Sequence, residues 1–197
     1  MFPDHLNPLS TYFLSKDQID FISEFELEQN LKPEDLNLLF YNFANKILAH
    51  QNCPLNLLED LKHSTDLFIL EKIASNPATP LSILKEYLDN PDEDDYVLKI
   101  AASNPSIPVD LLINLSFSLN ESIVAGVASN HSTPSFVLEK IAEHSSTVVL
   151  EELIFNPNST AVVFDKLIEL NNSYLNNLML DANISDEIKK MVKMNNF

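Results

Sequence analysis

Ile73-Ala74-Ser75-Asn76-Pro77 returns as Ala101-Ala102-Ser103-Asn104-Pro105, as Val127-Ala128-Ser129-Asn130-His131 and, more loosely, as Leu153-Ile154-Phe155-Asn156-Pro157. Each phrase closes one apolar-periodic segment and precedes another helix start within four residues. The unit is therefore two short helices copied along the chain. With Asn52 and Asn183 at the ends, the asparagines stand at 52, 76, 104, 130, 156 and 183, at spacings of 24, 28, 26, 26 and 27. A period of this size marks a solenoid, whose units bury their apolar faces against their neighbours.

The flanking positions keep register. Seven and six residues before the asparagine stand Ile69-Leu70, Val97-Leu98, Ile123-Val124 and Val149-Leu150, and three before it Ile73, Ala101, Val127 and Leu153. These share one helix face. Ala74, Ala102 and Ala128 lie two before it, where a small side chain lets neighbouring helices approach and a large one pushes units apart. The asparagine ends the first helix, because it tolerates non-helical angles, hydrogen-bonds its own chain and precedes proline. The next helix opens at Thr79-Pro80, Ile107-Pro108, Thr133-Pro134 or Ser159-Thr160, where Thr or Ser suits the N-cap and proline the first turn. Its core columns are Ile83, Leu84, Tyr87 and Leu88; Leu111, Leu112 and Leu115; Val137, Leu138, Ile141 and Ala142; Val163, Phe164, Leu167 and Ile168. Residues 54–61 match this helix through Leu57, Leu58 and Leu61, and 186–192 through Ile188 and Val192. The asparagine-rich stretch 171–177 and Lys189, Lys190 and Lys193 read as a polar terminus.

The chain thus reads as all-α, a solenoid of about five two-helix repeats over residues 47–197, one continuous domain, preceded by a helical cap over 1–46. In the cap, Ser15 and Gln18 form a capping box for a helix over 16–27. Pro33, Glu34 and Asp35 open a second helix, with Leu36, Leu39, Phe40, Phe43 and Ile47 on one stripe.

Composition supports this class. Apolar residues make up 45% of the 197, enough for a core, and one glycine leaves the tight turns of an all-β protein almost without material. The formal charge is -17, and all 12 basic residues are lysines. An acidic chain without arginine repels a polyanion and lacks the bidentate fork for phosphate or guanine, so nucleic acid is excluded as a partner and a basic protein favoured. Cys53 is the single cysteine, which excludes an internal disulfide and a cysteine-rich metal site and suits a small buried residue. The first residues lack a basic region followed by an apolar run, and no stretch approaches eighteen apolar residues. A cytoplasmic protein without a membrane partner is the expectation.

The pattern Ala-Ser-Asn-Pro-x-Thr-Pro followed by x-x-Ile/Val-Leu, over residues 47–192 and strongest over 73–169, resembles the leucine-rich-repeat-variant family of bacterial α-solenoids, and more loosely HEAT-like repeats. The resemblance implies a right-handed superhelix of paired helical segments, one of them often 3₁₀. The longer units here predict two true α-helices in each. The founding member's cysteine-rich iron–sulfur segment does not carry over, since Cys53 stands alone.

No catalytic or cofactor constellation is present. The five histidines make no i, i+4 pair, no serine lies in Gly-x-Ser-x-Gly, and a single glycine permits no phosphate loop. The acidic run Asp89, Asp92, Glu93, Asp94, Asp95 lacks the glycine and distal glutamate of a calcium loop and reads as a solvated loop before a helix. What remains is a surface. The second helices present outward columns: Ser82, Asp110, Phe136 and Val162; Lys85, Ile113, Glu139 and Asp165; Glu86, Asn114, Lys140 and Lys166. Ile113 and Phe136 are the apolar residues out of pattern, and with Lys85, Glu86, Asp110, Asn114, Glu139 and Lys140 they form the candidate partner-binding face. The expected function is non-enzymatic binding of a protein or peptide. The alternative is an acidic inhibitor whose carboxylates mimic a polyanion and block a basic partner.

Overall fold

A computed structural model describes residues 47–50, 53 and 55–195. The chain divides into two compact units, Met1–Ala78 and Thr79–Phe197. The cap expected over 1–46, with its Ser15 and Pro33 helix starts, and the first asparagine at 52 lie outside the described residues. Among the described residues every regular element is an α-helix, eleven in all, each seven to ten residues long.

In the first unit, α1 (Leu55–Leu61) buries Leu57 and Leu58. The second helix, α2 (Leu67–Ser75), buries Ile69, Leu70, Ile73 and Ala74. Cys53 is buried as expected, and burial pushes its thiol above the ordinary range.

The second unit alternates the two helix types. Second helices are α3 (Leu81–Asp89), α5 (Val109–Leu115), α7 (Ser135–Ile141), α9 (Ala161–Glu169) and α11 (Asp186–Asn195). First helices are α4 (Asp95–Ser103), α6 (Glu121–Ser129), α8 (Thr147–Phe155) and α10 (Ser173–Asp181). Both helices of every pair are α-helical, as the unit length implied. Each first helix buries the residues seven, six and three before its C-cap, down to Leu175, Asn176 and Met179 in α10. The second-helix columns are buried too, with Leu111 and Leu115 half-buried where α5 is only seven residues long.

Capping differs from the sequence reading. Pro80, Pro108, Pro134 and Thr160 are themselves the N-caps of second helices, in extended conformation and without a side-chain capping bond. The hydroxyl before them turns back instead. Thr133 Oγ1 donates to Val127 O (2.6 Å) and Ser159 Oγ to Leu153 O (2.6 Å), satisfying a carbonyl near the end of the preceding helix. A proline N-cap is already extended and offers no amide, so the hydroxyl serves the orphan carbonyl. Side-chain caps occur on the first helices, ten residues before the C-cap. Asp66, Asp94, Asn120 and Asn172 accept from backbone amides two or three residues on. The stretch 171–177 is therefore a capped helix start, not a tail. Asn171, at φ 49°, takes the left-handed turn into it, a conformation asparagine tolerates.

The repeated asparagine does more than end a helix. Asn76, Asn130 and Asn156 are buried, and each carboxamide donates both hydrogens to two backbone carbonyls of the preceding repeat, 28 and 26 residues back. Asn130 Nδ2 reaches Ala102 O (3.0 Å) and Asn104 O (2.9 Å), and Asn156 Nδ2 reaches Ala128 O (2.6 Å) and Asn130 O (3.1 Å). In the first unit Asn76 holds Leu48 O and His50 O in the same way. Each Oδ1 meanwhile accepts from the amide two residues on, as at Ala78, Ser132 and Asn158. One side chain thus closes its own turn and satisfies helix-end carbonyls next door, leaving no buried polar atom of its own unpaired.

Gly126, the single glycine, lies inside α6 with ordinary helical angles. A Cβ there would stand 2.6 Å from Ala102 Cβ and closer still to the Lys99 carbonyl oxygen. In this unit α6 packs most extensively against α4 and α8, and the missing side chain is what admits α4. Above the same spot Lys99 Nζ of α4 reaches Glu152 Oε1 of α8 at 2.6 Å, spanning α6 between them.

Candidate interaction surface

The outward positions of α3, α5, α7 and α9 carry the residues singled out from the sequence. Lys85, Glu86, Asp110, Asn114 and Lys140 are exposed, Ile113 and Glu139 are half-buried, and Phe136 is 60% exposed. On α7, Phe136, Lys140 and the following Glu143 are spaced i, i+4, i+7 and share one face. The equivalent face of α5 carries Asp110 and Asn114 and continues to Phe117, and that of α9 carries Val162 and Lys166.

Bonds between repeats tie part of this face down. Lys140 Nζ lies 4.9 Å over the Phe117 ring. Lys166 Nζ donates to Glu139 O (2.8 Å) and to Glu143 Oε1 (2.8 Å), and Thr160 Oγ1 donates to Glu139 Oε1 (2.7 Å). The Lys166 hydrogen bond and charge hold the Glu143 carboxyl below the usual glutamate range. Glu139 and Lys140 are thus braces between repeats as well as surface. Sequence reasoning missed Phe117, 61% exposed, and Leu119, fully exposed, in the loop after α5. The signal was present: neighbouring repeats have Asp89, Glu143 and Glu169 where Phe117 stands.

The acidic run behaves as a loop. Asp89, Asp92, Asp94 and Asp95 are exposed; Asp94 caps α4, and Asp95 accepts from Asn120 Nδ2 at 3.2 Å. His144 Nδ1 accepts from the Ser146 amide before α8. Among the described residues no group of three or more His, Cys, Asp or Glu is placed to hold a metal ion, and no helix is long and apolar enough to cross a membrane.

On the first helices, Tyr96, Val148 and Tyr174 are exposed along one column. The Tyr174 hydroxyl bonds the Glu151 carboxylate, which raises its pKa. No protein-family model, curated protein or solved structure matches the chain.

Proposed function

We propose that the chain is a non-enzymatic interaction module of the leucine-rich-repeat-variant kind, a right-handed, cytoplasmic α-solenoid that binds a protein or peptide on the outward face of its second helices. The observation that carries this reading is the pair Phe117 and Phe136, two aromatic rings each about three-fifths exposed on a face whose other residues, Ile113 and Val162 apart, are polar or charged. An aromatic residue left in water among polar neighbours is the composition of an interaction hot spot inside a polar rim. The rigid backbone beneath it keeps the ordering cost of binding low.

The test is a site-specific photo-crosslinker placed at 136 and, for comparison, at 174 on the first helices. A partner crosslinked from 136, not from 174, and lost when Phe117→Asp is added in a folded protein supports the face. Crosslinks independent of position contradict it. The acidic-inhibitor reading draws on the exposed run Asp89–Asp95, and ionic strength separates the two. A polyanion mimic loses affinity steeply with salt, whereas a complex anchored by Phe117 and Phe136 keeps most of it.

A further inference from the structure

The asparagine ladder stops one repeat before the end of the chain, and a cleft opens where it stops. The C-cap of α10 is Ala182, not the Asn183 that the spacing suggested. Its backbone (φ -67°, ψ 155°) is extended like that of Asn130 (φ -69°, ψ 119°), but it has no carboxamide. Among the described residues no side chain takes up the Ile154 and Asn156 carbonyls in the way Asn156 takes up those of Ala128 and Asn130. Two further positions depart from the repeat at this place. Ile154 stands where Ala74, Ala102 and Ala128 stand, the large residue expected to push units apart. Phe155, 59% exposed, stands where Ser75, Ser103 and Ser129 each bond a carbonyl three residues back. At this place lies a cleft of about 480 Å³ with an apolar side of Ile154, Phe155, Phe164, Ile184 and Ile188 and a polar side of Asn156, Ser159, Asn183 and Ser185.

We propose that this cleft binds a turn of a partner protein that presents an asparagine carboxamide, which donates to the Ile154 and Asn156 carbonyls as Asn156 donates one repeat earlier. The chemistry is specific. Two carbonyl oxygens that only accept select the two donors of a primary amide; a carboxylate of the same shape offers only acceptors and is repelled. The apolar side, Phe164, Ile184 and Ile188, receives the residues flanking the amide, and Phe155 supplies an aromatic edge at the rim. This site lies at the end of the array and does not rest on the second-helix face.

The probe is an octapeptide with the sequence of residues 73–80, titrated into the ¹⁵N-labelled full chain. The expected result is saturable amide shifts over 153–160 and 182–188 at millimolar peptide, at least tenfold weaker binding for the same peptide with Asn76→Asp, and unchanged binding in Phe136→Asp. Ala182→Asn should raise the melting temperature and abolish the shifts, because it supplies the missing rung from within the chain. Phe155→Ser, which leaves every rung intact, should weaken the peptide severalfold. Equal binding of the Asp peptide, shifts elsewhere, no shifts at all, or full binding by a folded Ala182→Asn protein would overturn the proposal. A dimer that Ala182→Asn dissolves would also overturn it, since a second copy would then fill the cleft.

Discussion

A single asparagine at each of positions 76, 130 and 156 makes three hydrogen bonds with one carboxamide. At Asn130 alanine would remove two buried bonds and strand the Ala102 carbonyl, while the Asn104 carbonyl keeps the Ile107 amide, at about 1–3 kcal/mol for a group left unsatisfied and about 1 kcal/mol for the other lost bond. We expect Asn130→Ala to lose about 2–4 kcal/mol in urea unfolding. Aspartate keeps the shape but turns its oxygens on those carbonyls. Its folded-state pKa is therefore raised, and the deficit of Asn130→Asp relative to the parent should shrink as pH falls through that raised value and level off below the unfolded carboxyl value of about 3.9. A smaller effect lies at the surface. Lys166→Met should return the depressed Glu143 carboxyl to the ordinary glutamate range in an NMR titration, whereas a Glu143 unmoved by it would mean Lys166 is not the cause.

The helices were legible in the sequence because each apolar column has a period fixed by helix geometry, and the columns of α4, α6 and α8 fall at the same distance from the asparagine. Contacts between repeats were less so. Nothing local announces that the Asn130 carboxamide spans 26 and 28 residues, because that depends on what the neighbouring repeat brings close; Thr133 turns six residues back to Val127 within its own repeat, against the capping role its place before proline suggested. Gly126 was read only for the motifs one glycine cannot make, while its role is the approach of α4 to α6. Gly126→Ala raises helix propensity by about 1 kcal/mol yet forces a methyl against the Lys99 carbonyl and Ala102, an overpacking cost of about 1–3 kcal/mol. We expect net destabilisation, and weaker protection of α4 and α6 amides in hydrogen exchange. A Gly126→Ala protein more stable than the parent would show that the two helices can part without cost.

Across the molecule, the parts that repeat build the array and the parts that do not repeat supply the candidate face. The candidate face was legible only in part. Phe136 stood out because its column is otherwise mostly polar, but Phe117 lies past the end of α5, where the column is set by the packing of the loop. Glu139 and Lys140 proved to be braces, which sequence columns do not distinguish from free surface. Phe136→Asp should leave stability within about 0.5 kcal/mol while costing the partner complex at least ~1.4 kcal/mol, tenfold in affinity. That asymmetry between a structural phrase and the proposed binding face depends on the ladder holding the repeats together. The most direct test is the urea unfolding free energy of Asn130→Ala against Ser132→Ala, an exposed neighbour in the same turn. The ladder predicts a loss of about 2–4 kcal/mol for the first and within about 0.5 kcal/mol for the second. Equal, small losses in both would contradict it.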